Sequence, residues 1–344
     1  MDIEALLHKN KIKYTVLFFL FAAAAVVIML CTIHMGAMNI SAPDVFKVLA
    51  YKLTGNSTLL LGVKDNEAAV IWDIRLPRIF SGFLVGAGLA VAGAVFQGIL
   101  QNPLADPYTI GISNGASFGA AAAIYLNISY GLHIPATAAA MAAACLTLAM
   151  VISIAKKGSD FDSSSLIIAG IIVSSILSAG VSLIKMMAGE NVSAIVFWLM
   201  GSFSGTTWND VALLAPIVAA ATAVSVIFAG QLDIAALGDR NAESLGVNTG
   251  RLRLIYLVLG AALTAVCVSV CGIIGFVGLV VPHLLRLWIT PSNRVLIPMA
   301  ALLGGDLLAL ADNVTRTVPS GEIPVGVITT LIGGPFFIYI FMRK

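Results

Sequence analysis

Charge is what this sequence most lacks. Asp, Glu, Lys and Arg together make up 10% of its 344 residues while apolar residues make up 59%, against an apolar share nearer to ~45–50% in soluble domains. Mean hydropathy is +1.01, and the chain is expected to live in a bilayer. The net charge of +2 comes without a basic stripe interleaved with aromatics, which excludes nucleic acid as a partner. Missing too are a zinc-binding His-Glu-x-x-His, a nucleophile with a base at usable spacing, and a phosphate-cradling glycine loop ending in Lys-Ser/Thr. No bond chemistry and no nucleotide site is therefore expected of this chain, and any energy for uphill work must come from outside it. Three of the four cysteines fall inside apolar runs, and Cys271 directly follows one. Cys267 and Cys271 could share a helix face, but no His or carboxylate stands at ligand spacing beside them, so no metal is expected.

Long apolar runs are what the sequence has instead. About ten recur, each long enough to cross a hydrocarbon core of roughly 30 Å: Thr15–Cys31, Ile79–Leu100, Tyr108–Leu126, Ile134–Ala155, Leu166–Met187, Val211–Gly230, Leu254–Val270, Ile273–Ile289, Val295–Ala311 and Ile323–Met342. None alternates with a period of two, which excludes a membrane barrel and leaves helices. Lys9, Lys11 and Lys13 precede the first run, but it is long and has no small-x-small cleavage site after Cys31, so it reads as a retained span. An even number of spans puts both termini on one side. Of the nineteen Lys and Arg, twelve sort to that side and seven (Lys47, Lys52, Lys64, Arg75, Arg78, Lys185 and Arg316) to the other, which makes the termini cytoplasmic. No composition shift or flexible linker divides the chain, so residues 1–344 read as one integral domain.

Function is sought in the polar punctuation. Asn102-Pro-Leu-Ala-Asp-Pro107 is a rigid hinge between two glycine-rich runs. Ile40–Trp72 is a long outer segment with a helix start at Pro43-Asp44, and Asn191–Trp208 carries Phe197, Trp198, Phe203 and Trp208, as a short helix at the outer membrane surface would. Gln231–Arg253 is the longest polar stretch on the cytoplasmic side. There Asp239 is expected to cap a helix of Arg240, Asn241, Ala242, Glu243, Ser244 and Leu245, with Gly246 ending it. So short a helix is marginal alone, and Ala242 with Leu245 on one face offers a soluble partner a small apolar contact. Arg75-Leu-Pro-Arg78 followed by Gly86-Ala-Gly-Leu-Ala90 is faintly echoed by Arg251-Leu-Arg253 followed by Gly260-Ala-Ala-Leu263, in segments that enter from opposite sides, as in an inverted repeat.

Small residues recur at helical spacing: Gly111, Gly115 and Gly119; Gly82, Gly86, Ala90 and Ala94; Gly272, Gly275 and Gly278. In lipid such faces bring helix backbones together, and they can also line a pathway. Besides Lys185 and Arg286 near run ends, the ionisable residues in or at the edge of the runs are Asp306, Asp312 and His283, which should face protein or water. A proton relay would need them linked, yet the two aspartates have no regular helical partner.

Arg75-Leu-Pro-Arg78, Leu84-Val-Gly-Ala-Gly-Leu-Ala-Val-Ala-Gly93, Gln97, Asn102-Pro-Leu-Ala-Asp-Pro107, Gly111-Ile-Ser-Asn-Gly-Ala116, Ala236-Leu-Gly238 with Ser244-Leu-Gly246, Gly275-Phe-Val-Gly-Leu-Val-Val-Pro-His283 and Ile323-Pro-Val-Gly326 resemble the permease subunits of type II ABC importers for iron-siderophores, haem and cobalamin. The resemblance runs in order from Arg75 to the C-terminus. It implies an all-α membrane fold of about ten transmembrane helices, paired with a second copy or a paralogue in the cytoplasmic membrane of a prokaryote. It also implies two cytoplasmic ATPase subunits, which bind the ATP and Mg, and an extracytoplasmic substrate-binding protein. Residues Asp239, Arg240, Ala242, Glu243, Ser244, Leu245 and Gly246 would couple to the ATPase. Asn102 and Leu104, with Ser163 and Ser164, would form the cytoplasmic gate. Arg75, Arg78 and Arg316 would dock the binding protein, although an interfacial arginine also binds lipid phosphate. The mechanism implied is alternating access by a metal chelate, a ferric siderophore first and haem or cobalamin behind; the rival is a secondary transporter driven by an ion gradient, which needs paired carboxylates or a broken-helix cation site.

Overall fold

The computed structural model describes residues 3–36, 38, 40–156, 163–317 and 323–342. Helices carry the chain throughout, and among the described residues there is no strand. α1 is Ile3–His34, α2 Ala42–Thr54 and α3 Asp65–Ala69, and a wide π turn over Val70–Arg75 leads into α4, Leu76–Ile99. α5 is Ile112–Tyr130, α6 Ala136–Ala155, α7 Ser163–Ala188, α8 Val192–Leu199 and α9 Trp208–Ile227. Two short helices follow, α10 at Ala229–Ala235 and α11 at Asp239–Ser244, then α12 at Thr249–Cys271, α13 at Val277–Trp288, α14 at Asn293–Thr317 and α15 at Val325–Met342.

Local chemistry sets several ends. α2 starts where Ser41 Oγ accepts the Asp44 N–H at 3.3 Å, and it stops at Gly55 with φ +71°. α9 opens on a capping box, the Thr207 N–H donating to Asp210 Oδ2 at 2.8 Å.

Seven helical stretches have the length and composition to cross a bilayer: α1, α3 with α4, α6, α7 with α8, α9, α12 and α14. α5 has the length but carries Ser, Asn and Gly, while α13 and α15 are shorter apolar helices. Ten helical segments thus stand where ten apolar runs were expected, with one correction. The run Ile273–Ile289 yields α13, only 12 residues, or roughly 18 Å of helix, too short to cross. The backbone breaks before it, at Gly272 (φ +73°) and Phe276 (φ +69°), so Gly272 and Gly275 lie in the connection and only Gly278 is helical.

α4 is the hub: most of it is buried, whereas α1, α6, α7 and α9 leave most of their surface outward. Glycine gives it that position. A Cβ at Gly86 would strike the Gly304 carbonyl of α14, and one at Gly93 the Gly278 carbonyl of α13, so backbone rests on backbone. Against α12 the contacts pair Gly88 with Cys267 and Phe96 with Gly260, which makes the two helices antiparallel. The two echoing segments therefore do enter from opposite ends. A smaller apolar cluster, with Ile33, Val45, Val48 and Ile71 at its centre, seats α2 and the π turn on the ends of α1 and α4.

Asn191–Trp208 forms the expected short helix, α8, with Phe197 46% exposed, and the turn that leads into α9. Ile195 and Phe203 are buried, the Ser202 N–H donates to the Cys271 carbonyl at 2.8 Å, and Trp208 stacks on Trp72 with ring centroids 5.0 Å apart. Part of the segment thus packs on the bundle while Phe197 and Met200 stay exposed. Cys267 and Cys271 are likewise consumed by packing, Cys271 Sγ pointing to the Cys267 carbonyl at 3.0 Å.

Candidate functional site

At one end of the bundle α10 and α11 form the connection from α9 to α12. α11 begins one residue earlier than expected: Gly238, with φ +95°, precedes it and Asp239 is its first residue. Asp239 does not cap. Its carboxylate accepts from Arg253 Nη2 of α12 at 3.3 and 3.4 Å, an ion pair that holds the short helix to the bundle. Gly246 (φ +82°) ends the turn, and the Val247 N–H returns to the Ala242 carbonyl at 2.9 Å. Ala242 is wholly buried inside the chain and Leu245 is 61% exposed, so the two do not form one outward face. Arg240, Glu243, Ser244 and Leu245 are outward instead. Leu237, 60% exposed just before the helix, joins them; sequence reasoning passed over it because it lies in the turn.

The hinge after α4 is a knot of local bonds. Gln101 has φ +50°, Asn102 Oδ1 accepts the Leu104 N–H at 2.9 Å, and Asp106 Oδ1 accepts the N–H groups of Tyr108 and Thr109 at 3.1 and 3.0 Å. These bonds satisfy a loop that has no helix partners of its own. Leu104 is 44% exposed at its tip. Ser163 Oγ donates to the Ile99 carbonyl at 3.3 Å, which brings the start of α7 to the end of α4, while Ser164 faces outward. Of the four expected gate residues, the structure thus gathers Asn102, Leu104 and Ser163 at one helix end.

At the opposite end stand the three arginines, and none is offered to the exterior. Arg75 is buried, its guanidinium donating to the carbonyls of Ile33, His34 and Met38 at the close of α1. Arg78 binds Asp312 of α14 through Nε and Nη2, at 3.0 and 2.9 Å. Arg316 reaches the same carboxylate at 3.5 Å. Asp312 therefore does have a helical partner, four residues on, and a second one 234 residues away in sequence. Asp306 is buried, with Oδ1 unbonded among the described residues, and His283 packs on Phe337 at 5.9 Å. No group of three His, Cys, Asp or Glu suited to a metal is found among the described residues.

The three glycines of the α5 stripe separate. Gly111 is not helical; it precedes α5 with φ +85° and faces Gly170 and Ser174 of α7. Gly115 and Gly119 face α6, where a Cβ would overlap the Thr147 side chain and the Ala139 carbonyl. Their role is close helix packing.

Missed altogether by sequence reasoning was a polar cluster near the hinge, Asp233, Arg286, Ser292 and Asn293, whose members lie in three separate stretches of sequence. Lys157, Arg343 and Lys344, used to orient the chain, lie outside the described residues.

The chain resembles known proteins along nearly its whole length. It is 38% identical over 347 residues to an uncharacterized ABC transporter permease protein of Bacillus subtilis, covering 98% of this chain and 96% of that one. It is 40% identical over 282 residues to a cobalamin import system permease protein of Halobacterium salinarum, covering 82% and 76%. Its structure matches a solved structure described as an inward-facing conformation of a metal-chelate type ABC transporter, with a TM-score of 0.82 and 31% identity over 95% of this chain and 99% of that one. The model of the FecCD transport family matches residues 22–343. A multi-pass helical chain matched over that span is a transport permease, and it belongs to the FecCD transport family.

Proposed function

We propose that this chain is the membrane-spanning subunit of an ATP-driven importer that carries a metal chelate across the cytoplasmic membrane of a prokaryote, with both termini cytoplasmic. The observation that carries the reading is the family match over residues 22–343 together with a small helix, α11, held to the bundle by one ion pair and turning Leu237 and Leu245 outward. Exposed leucines on a polar connection suit a soluble partner. That partner is an ATPase, two copies of which bind ATP and Mg and seat α11 and its flanks, residues 239–246. Residues 1–344 act as one permease unit, paired with a second copy around the pathway. ATP closure moves α10 and α11, and the loop of Asn102 and Leu104 with Ser163 and Ser164 opens or shuts the cytoplasmic end.

The cargo arrives on a substrate-binding protein that docks at the end bearing α2, Arg75, Arg78 and Arg316. In this conformation those arginines hold the permease together, so docking would have to draw them from their internal partners. A ferric siderophore is the first cargo proposed, and the cobalamin relative makes corrinoids the second. The test is uptake of iron-55 ferric siderophores and cobalt-57 cobalamin by cells with and without the gene, with affinity capture of the tagged chain to see whether an ATPase comes with it. Loss of uptake for one chelate and capture of the ATPase are expected. Normal uptake of every chelate, or a chain isolated alone, refutes the reading.

A further inference from the structure

α11 packs on α10 and α12, so a push on α11 has two ways into the bundle. One follows α12 through Asp239 and Arg253. The other goes through α10, and there Asp233 is the point of attachment. Its Oδ1 accepts the Asn293 backbone N–H at 2.8 Å and Asn293 Nδ2 at 2.6 Å, and its Oδ2 accepts Ser292 Oγ at 2.9 Å. Asn293 is the first residue of α14. The opening N–H groups of a helix have no carbonyl within it to bind, and a carboxylate from another helix fills that need here.

The chain of bonds continues. Asn293 Oδ1 accepts from Arg286 Nη2 of α13 at 3.0 Å, and the same nitrogen donates to the Ala94 carbonyl of α4 at 3.1 Å. Gln97, one turn along α4, donates to the Leu279 carbonyl of α13 at 3.1 Å. Asp233, Asn293 and Arg286 thus join α10, α14, α13 and α4 beside an open cleft of about 550 Å³ that also borders Asn102 and Pro103 of the hinge. α13 is built to respond as a lever. It has 12 residues, a left-handed break at Phe276 separates it from α12, it rests near its start backbone on backbone against Gly93, and Arg286 near its far end reaches the Ala94 carbonyl.

We infer that Asp233 is a positioning residue for transport: through Asn293 and Arg286 it carries movement of α10 and α11 to the far end of α13, and so to α4 and the hinge. This rests on the importer reading above.

The test uses the complex of this chain with its ATPase in lipid nanodiscs, with Cys31 and Cys145 replaced by serine. Spin labels on Tyr130→Cys with Gln231→Cys report α10, and labels on Tyr130→Cys with Leu287→Cys report α13. Distances are read without nucleotide and with ADP and vanadate trapped. In the parent both distances shift. In Asp233→Ala the α10 distance still shifts and the α13 distance does not, and hydrolysis stimulated by the binding protein falls between about twofold and thirtyfold, the span of effects along connected networks. Asp233→Asn, which keeps an acceptor for the Asn293 N–H, restores both readouts. Arg286→Gln reproduces the loss from the other end, and the double variant is no worse than either single one. If α13 moves normally in Asp233→Ala or in Arg286→Gln while the parent responds, this inference fails alone. A parent that recruits no ATPase or ignores nucleotide overturns the importer reading and this inference with it.

Discussion

Replacing Asp312 with alanine withdraws one carboxylate from between two arginines. The side chains of Asp312, Arg78 and Arg316 are 3%, 8% and 7% exposed, so water cannot take the carboxylate's place. Breaking a buried ion pair from one side costs about 3–5 kcal/mol, because the arginines keep their desolvation penalty and lose the carboxylate. A loss of that size is expected to lower the unfolding midpoint by several degrees. Tryptophan fluorescence of the detergent-solubilised protein is a suitable readout, since Trp72 and Trp208 stack at this same end. The comparison that isolates the cause is a triple variant, Asp312→Leu with Arg78→Met and Arg316→Leu. Removing all three charges should recover most of the midpoint, as apolar replacements of buried ion pairs do. A midpoint within about 1 °C of wild type for Asp312→Ala, or a triple variant as unstable as the single one, refutes the reasoning.

Three further outcomes are expected. Leu245→Asp should leave the unfolding midpoint unchanged and weaken capture of the ATPase, since the side chain is outward and a carboxylate in an apolar contact has no partner; undiminished capture with normal uptake removes α11 from the docking surface. Gly115→Leu should cost at least about 1–3 kcal/mol of stability by overpacking against Thr147 of α6, read as early unfolding in detergent; wild-type stability with failed uptake would move this glycine from helix packing to the pathway. Arg75→Glu should unfold at lower temperature whatever the salt, because the Arg75 side chain and its bond to the Ile33 carbonyl are buried away from ions; a variant of normal stability that binds the binding protein poorly at low salt only would make Arg75 a steering charge.

The ten helical segments were legible because bilayer thickness imposes one length on any run that crosses, and this sequence has little charge to blur the edges. α13 was not, since Gly272, Gly275 and Gly278 fit a helical face as well as they fit a break; only the left-handed backbone at Gly272 and Phe276 decides between them. Arg316 four residues after Asp312 could have been read as an ion pair from helical spacing, whereas Arg78 could not, lying 234 residues before it. The turn at Gly246 was visible in the sequence. Which way α11 faces was not, because the burial of Ala242 depends on α10 and α12, and no local pattern encodes a neighbour. The cluster of Asp233, Arg286 and Asn293 was hidden for the same reason.

The separation of 234 residues between Arg78 and Asp312 has a bearing on how the protein is made. At about 5–20 residues per second, roughly 10–50 s pass between synthesis of α4 and arrival of the carboxylate that neutralises it. During that interval α4 must wait with Arg78 reaching toward the headgroups on its long stem. A ribosome stalled between the two helices would leave α4 in the membrane without the carboxylate that Arg78 binds in the finished protein.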